Sequence, residues 1–254
     1  MLMILSPAKR IQSNGTIPDL DLTTPDFLEF STQLVEKLRT LGQKELEKLM
    51  QINPDLARLN MERYAQWHTP FKKDRAQPAI LAFQGDVYQK LEADKFDRDE
   101  LSFAQEHLRI LSGLYGVLRP LDLMLPYRLE MGTNMPVGSS KNLYDFWGTR
   151  ITDALNDVLH SHKHNVLLNL ASNEYYKSIS INSLKGRVIS PVFKEFRKGK
   201  YSVYALFAKR ARGLMAKFII KNKITDPAQI KLFDEDGYGF DENQSTEDRP
   251  VFTR

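Results

Sequence analysis

The sequence predicts an α/β protein: a single mixed-sheet domain over residues 1–254, with helical layers, a basic cleft and a helix-hairpin-helix-like element. Three observations carry that expectation. Short continuous apolar runs alternate with helix-start signals, no internal repeat or low-complexity linker divides the chain, and the basic residues are concentrated rather than spread. With 254 residues, 42% hydrophobic and 27% charged, the chain buries a substantial core.

Taken in order, residues 1 to 5 read as a buried strand that breaks at Ser6-Pro7-Ala8-Lys9, where proline removes a backbone donor. Thr24-Pro25 reads as an N-cap and first-turn proline, opening a helix whose apolar face is Phe27, Leu28, Leu34, Val35, Leu38 and Leu41, with Gly42 closing it. Asn53-Pro54 repeats the signal for a helix toward Trp67. Ala79 to Phe83 is a short apolar run expected to be a strand, and Gln84-Gly85-Asp86-Val87-Tyr88 a tight strand-to-helix turn. Residues 165 to 172 make a third buried strand, followed by a helical turn capped by Ser172 or Asn173. Residues 187 to 193 and 200 to 207 read as two more strands joined by a basic turn at Arg197 to Lys200.

Residues 205 to 221 form an amphipathic helix on the wheel. Phe207, Ala208, Ala211, Leu214, Met215, Phe218 and Ile219 fall on one side, and Lys209, Arg210, Arg212, Lys217 and Lys221 on the other. Gly213 lies amid the basic side, at a cost of roughly 1 kcal/mol relative to alanine, which implies that something bulky approaches the backbone there.

The chain has no cysteine, which removes disulfides, thiolate metal sites and thiol nucleophiles together and fits a reducing compartment. Its apolar start precedes its basic residues, the reverse of a secretory signal, and no apolar run is long enough to span a bilayer. A cytoplasmic protein without a membrane partner is expected. The net charge of +4 is mild, but Lys194, Arg197, Lys198, Lys200, Lys209, Arg210, Arg212, Lys217, Lys221 and Lys223 stand against the single acid Glu195. An acidic tail over 234–248 follows, with Asp234, Glu235, Asp236, Asp241, Glu242, Glu247 and Asp248.

Ligands of open α/β sheets bind beyond the carboxyl ends of the strands. Here those ends carry Ser6, Lys9, Gly85, Asp86, Asn169, Ser172 and Glu174, with Lys209, Arg210 and Arg212 following the last strand. Convergence of these loops would make a net positive cleft for an anion or nucleic acid, in which Asp86 and Glu174 either hold the arginines or do proton work. The cluster His160-Ser161-His162-Lys163-His164 suits a polar turn, because no cysteine or carboxylate nearby completes a tetrahedral set. No metal or cofactor is expected: Walker A, GxGxxG, GxSxG and HExxH signatures are all absent.

Residues 107 to 122 read as helix, hairpin, helix. In such elements glycines let backbone N–H groups reach phosphates, which makes Gly113 and Gly116 candidates for backbone contact. Arg109, Arg119 and Arg128 are candidate phosphate contacts, and Tyr115 a stacking or wedge residue. The glycine spacing, Gly113-Leu-Tyr-Gly116, departs from the usual Gly-x-Gly.

Six motifs in order resemble the YaaA family of bacterial peroxide-stress proteins. They are SPAK at 6–9, AFQGDVY at 82–88, LRILSGLYGVLRPLDLMLPYRLEMG at 108–132, NLYDFWG at 142–148, NLASNEYYK at 169–177 and AKRARGLMAKFII at 208–220. The chain departs from the family pattern at Gln84, where lysine is usual, and at Lys90, where glycine is usual. The resemblance implies a cytoplasmic protein that limits free iron and oxidative damage under hydrogen peroxide. It also implies an α/β fold, a positive cleft, a helix-hairpin-helix element and a DNA partner, bent or damaged duplex included. Lys9, Arg119, Arg128, Lys209, Arg210, Arg212 and Lys217 are the cations assigned to that role. An enzyme acting on a nucleotide or nucleic-acid base, with Asp86 or Glu174 as acid/base, is the competing expectation.

Overall fold

Leu2–Leu5 forms strand β1, and all four of its side chains are fully buried. Burying each such side chain stabilises the fold by about 1.5–3 kcal/mol, so this tetrapeptide belongs at a sheet centre. A computed structural model describes residues 1–12, 21–71 and 75–254. After the break at Ser6-Pro7 comes the short β2 (Arg10–Ile11). Helix α1 (Leu28–Arg39) starts later than the Thr24-Pro25 signal, because Thr23 is bridged to Asp122 and keeps the chain extended there. Gly42 does not close that helix; it opens the next one, α2 (Gln43–Met50), with its N–H donating to Glu45 at 2.7 Å. Helix α3 (Pro54–Gln66) begins as its sequence signal requires, with Leu56 N donating to Asn53 Oδ1 at 2.9 Å.

The run expected as a strand at Ala79 to Phe83 is mostly helical. Strand β3 (Gln77–Pro78) leads into the single turn α4 (Ala79–Ala82), then β4 (Phe83–Gln84). A short apolar run is ambiguous in period. Here Ala79 and Ile80 find the carbonyls of Asp122 and Pro120 as partners instead of a ladder. Gly85, at φ 154°, ψ 179°, then admits the turn into α5 (Asp86–Leu91). Helix α6 (Arg98–His107) follows, with a capping box between Asp97 and Glu100.

The helix-hairpin-helix expectation is corrected here. Residues 108 to 118 are a β-hairpin, β5 (Leu108–Ser112) and β6 (Gly116–Leu118), followed by the two-residue β7 (Leu123–Met124). The reason is registry with β1: Leu108, Arg109 and Ile110 pair in parallel with Met3, Ile4 and Leu5, so the segment continues the sheet core. Helices α7 (Leu143–Trp147) and α8 (Arg150–Ser161) lead to β8 (Val166–Asn169), and Ser172 occupies the N-cap position of the turn α9 (Asn173–Tyr176).

The run at 187 to 193 is two strands, β9 (Arg187–Ile189) and β10 (Val192–Arg197), split at Ser190-Pro191. Strand β11 (Lys200–Ser202) is shorter than expected, because α10 (Ala205–Lys221) has already begun at Ala205. The last strands are β12 (Gly239–Phe240) and β13 (Val251–Thr253). Two main sheets therefore replace the single mixed sheet. One is ordered β6-β5-β1-β8-β9, parallel except for β6, and the other is ordered β11-β10-β13-β12.

The acidic tail supplies β12 of the second sheet and is also tied to the edge strand β9 of the first. Glu247 and Asp248 pair with Arg187, Asp236 pairs with Arg254, and no residue of 234–248 lines the cleft described below. No helix of the described residues is long and apolar enough to cross a membrane.

Candidate functional site

Strands β1 and β8 lie side by side and parallel, so their carboxyl ends open at the same edge. The two ends are tied together: Ser172 N donates to Ser6 Oγ at 2.8 Å, and Tyr88 OH donates to the Ser6 carbonyl at 2.9 Å. Around this junction is a cavity of about 520 Å³. Its walls come from Ser6 to Arg10 after β1, Gln84 to Tyr88 at the β4–α5 turn, Tyr127 to Glu130, Leu170 to Tyr175 around α9, and Lys209 and Arg212 of α10. The volume suits a ligand of nucleotide size.

Five cations line this cavity, Lys9, Arg10, Arg128, Lys209 and Arg212, together with three acids, Asp86, Glu130 and Glu174. Most are engaged with the protein itself. Glu130 takes Arg128 at 2.9 Å and Lys9 at 3.4 Å, Asp86 takes Arg210 Nε at 3.5 Å, and Glu174 accepts from Gly132 N at 2.9 Å. Asp86 and Glu174 therefore hold neighbouring groups in place while still facing the cavity.

Arg212 differs from these. It is half-buried, and burial lowers its pKa below the usual guanidinium range with no carboxylate to offset the loss of water. Among the described residues its guanidinium has no hydrogen-bond or ion-pair partner, and neither has the exposed ammonium of Lys209 one turn earlier. Two further polar atoms beside the cavity, Arg128 Nε and Glu130 Oε2, are shielded from water and unpartnered. Such groups cost about 1–3 kcal/mol each and call for an explanation. Arg212 and Lys209 together present positive charge at the cavity, and among the described residues no carboxylate pairs with either.

The structure brings Lys9, Asp86, Arg128, Glu174, Lys209 and Arg212 to one place, with Arg210 beside them on Asp86. It does not bring the hairpin residues there. Arg109 is spent on the carbonyls of Gln105 and Leu108 at 2.8 and 2.7 Å, and burial holds its pKa at about 10. Tyr115 is fully buried: its hydroxyl accepts from Trp67 Nε1 and Leu125 N and donates to the Leu125 carbonyl, so it is not a wedge. A Cβ at Gly113 would stand 2.1 Å from the Leu129 carbonyl oxygen, and one at Gly116 2.7 Å from the Trp147 ring. These glycines accommodate packing rather than backbone contact with phosphate.

Arg119 pairs with Asp122 and Asp26, and Lys217 with Glu92 at 3.1 Å. Gly213 is close-packed as its position implies, but against α5: a Cβ there would lie 2.0 Å from the Val87 carbonyl oxygen. Glu130 and Arg10 are charged site residues that the sequence reading missed; for Glu130 a signal was present. The signal was the alternation Arg128-Leu129-Glu130 in an extended segment, which places the two charged side chains on one side.

The histidines sit elsewhere. His107 stacks on Phe103 at 4.2 Å and meets the Met1 carbonyl at 2.9 Å, with the ring of His162 4.6 Å away. Among the described residues no group of three or more His, Asp or Glu side chains is placed to hold a metal.

Comparison with known proteins agrees across the whole chain. A "UPF0246 protein" of Saccharophagus degradans is 50% identical over all 254 residues and 99% of its own length. Relatives described in the same words from Alteromonas mediterranea and Aliivibrio fischeri are 49% and 47% identical, each over the full chain and 98% of the relative. The family model described as "Peroxide stress protein YaaA" matches residues 1–244, and the chain belongs to that family.

Proposed function

We propose that this peroxide-stress family member works on nucleic acid in the cytoplasm, limiting iron-driven oxidative damage by holding DNA phosphate at the cleft beyond β1 and β8. The observation that carries this reading is Arg212, a desolvated guanidinium at the cavity that has no partner among the described residues, with the ammonium of Lys209, likewise unpaired among them, beside it. Lys9 and Arg128 add charge that Glu130 only partly neutralises. Phosphate contacts of this kind carry no sequence information, so binding should be steep in salt and indifferent to sequence.

The test is fluorescence anisotropy of plain, bent and mismatched duplexes across a salt series. Removing one cation from a phosphate lowers the salt slope by about 0.9. Lys209→Gln with Arg212→Met is expected to flatten the slope by about 1.8 and leave the unfolding transition nearly in place. Unchanged binding by that double variant removes the reading.

One observation favours a second reading: three carboxylates share the cavity with the cations. A polyanion gains nothing from Asp86 and Glu174, whereas an enzyme acting on a nucleotide or nucleic-acid base uses a carboxylate as acid or base while the arginine grips phosphate. Asp86→Asn separates the two. Retained DNA affinity with loss of peroxide resistance in a complementation assay supports chemistry, and full complementation refutes a chemical role for Asp86.

A further inference from the structure

The β10–β11 hairpin and the start of α10 after it concentrate exposed apolar surface within eleven residues of chain. Phe196, Tyr201, Val203 and Leu206 are 57%, 44%, 56% and 44% exposed, and among the described residues Phe196 and Tyr201 are the only rings among the large exposed hydrophobics. The two residues are paired across the ladder, with ring centroids 5.1 Å apart and ring planes tilted by 58°. Alternation along β10 turns Phe196 away from the side of Glu195 and Arg197. Glu195 points inward to Tyr238 and Arg254, and Arg197 lies over the rings of Tyr204 and Phe207 at 5.2 and 4.6 Å. The Phe196–Tyr201 pair therefore forms an outward platform on the opposite side.

Positive charge surrounds the platform. The loop is Lys198-Gly199, with both residues at positive φ, 52° and 75°, the geometry of a tight two-residue hairpin turn. Lys198 and Lys200 are exposed, and neither ammonium has a partner among the described residues. Glu195, the one acid of the hairpin, is already neutralised by Arg254. None of these residues lines the cleft.

We propose that this hairpin is a stacking platform for unpaired bases of single-stranded nucleic acid, separate from the phosphate-binding cleft. Ring faces take bases of any sequence, and the lysines at the tip match the backbone charge. A lipid surface is a poorer occupant, because β11 is a sheet edge whose outer N–H and C=O groups would be stranded in hydrocarbon. A second copy of the chain is also poorer, since Arg197, Lys198 and Lys200 of each hairpin would be brought together.

The experiment compares a fluorescein-labelled oligothymidylate with a duplex of equal length on the full-length protein. Phe196→Ser with Tyr201→Ser is expected to weaken oligothymidylate binding about tenfold or more and duplex binding less than about twofold. Phe196→Leu keeps apolar area but not a ring face, so it too should lose single-strand affinity; it also serves where the double variant folds poorly. The proposal is overturned by wild-type protein that does not bind oligothymidylate, by unchanged affinity in the variants, or by equal loss on both probes. It is also overturned if phosphatidylserine vesicles outcompete oligothymidylate for the wild-type protein and lose binding in the double variant. Because the variants leave Lys209 and Arg212 intact, failure here is distinct from failure of the cleft reading.

Discussion

The hairpin of β5 and β6 and the first half of α10 look alike in sequence: each mixes glycine with arginine or lysine among apolar residues. Folded, they are opposites. In the hairpin the polar groups are turned inward onto partners, from the Tyr115 hydroxyl to the carbonyls that hold Arg109, and Trp147 Nε1 donates to the Gly113 carbonyl at 3.0 Å. In α10, Lys209 and Arg212 have none among the described residues. Composition thus does not distinguish an element whose polar groups are used up in packing from one that leaves them open; the state of the polar groups does.

The contrast can be broken most forcefully at Gly113. A methyl group there meets the Leu129 carbonyl at 2.1 Å, a backbone atom that cannot swing aside. Gly113→Ala should cost about 3 kcal/mol or more in urea unfolding, near the top of the overpacking range. A loss under about 1 kcal/mol would show that the hairpin is not packed as described.

Tyr115→Phe is the next in size. It removes the hub that serves Trp67 Nε1 and both backbone groups of Leu125, and should destabilise by about 1–3 kcal/mol while leaving DNA affinity unchanged. Weaker DNA binding by a variant of unaltered stability would return Tyr115 to the interface. Arg212→Met should have the smallest effect on stability, within about 1 kcal/mol and of either sign, because no internal partner is abandoned and a desolvated charge is relieved. Its binding loss should be clear against that flat background. A large destabilisation would mean that Arg212 is structural.

The break after β1, the Asn53 cap, the Gly85 turn and the amphipathic helix at 205–221 were legible because each rests on local chemistry. Lys9, Lys209 and Arg212 at the cleft were legible too, since parallel strands open their carboxyl ends together, whereas Arg10 was not singled out. What was not legible depended on distant partners. Ala79 to Ala82 coils because its N–H groups meet the 120–122 turn, and Leu108 to Ser112 extends because β1 pairs with it. The helical wheel puts Lys217 among the outward cations, yet Glu92, 125 residues away in sequence, takes it.

The central position of β1 also bears on how the chain is made. This first strand pairs with Leu108 to Ile110 on one side and Leu167 to Asn169 on the other. At about 5–20 residues per second, a ribosome supplies the second neighbour on the order of ten seconds or more after the first strand emerges. Until then one edge of the most apolar tetrapeptide in the protein stands open. Its birth is thus a period of exposure for that edge, and a product cut short before β8 would lack a neighbour of its central strand.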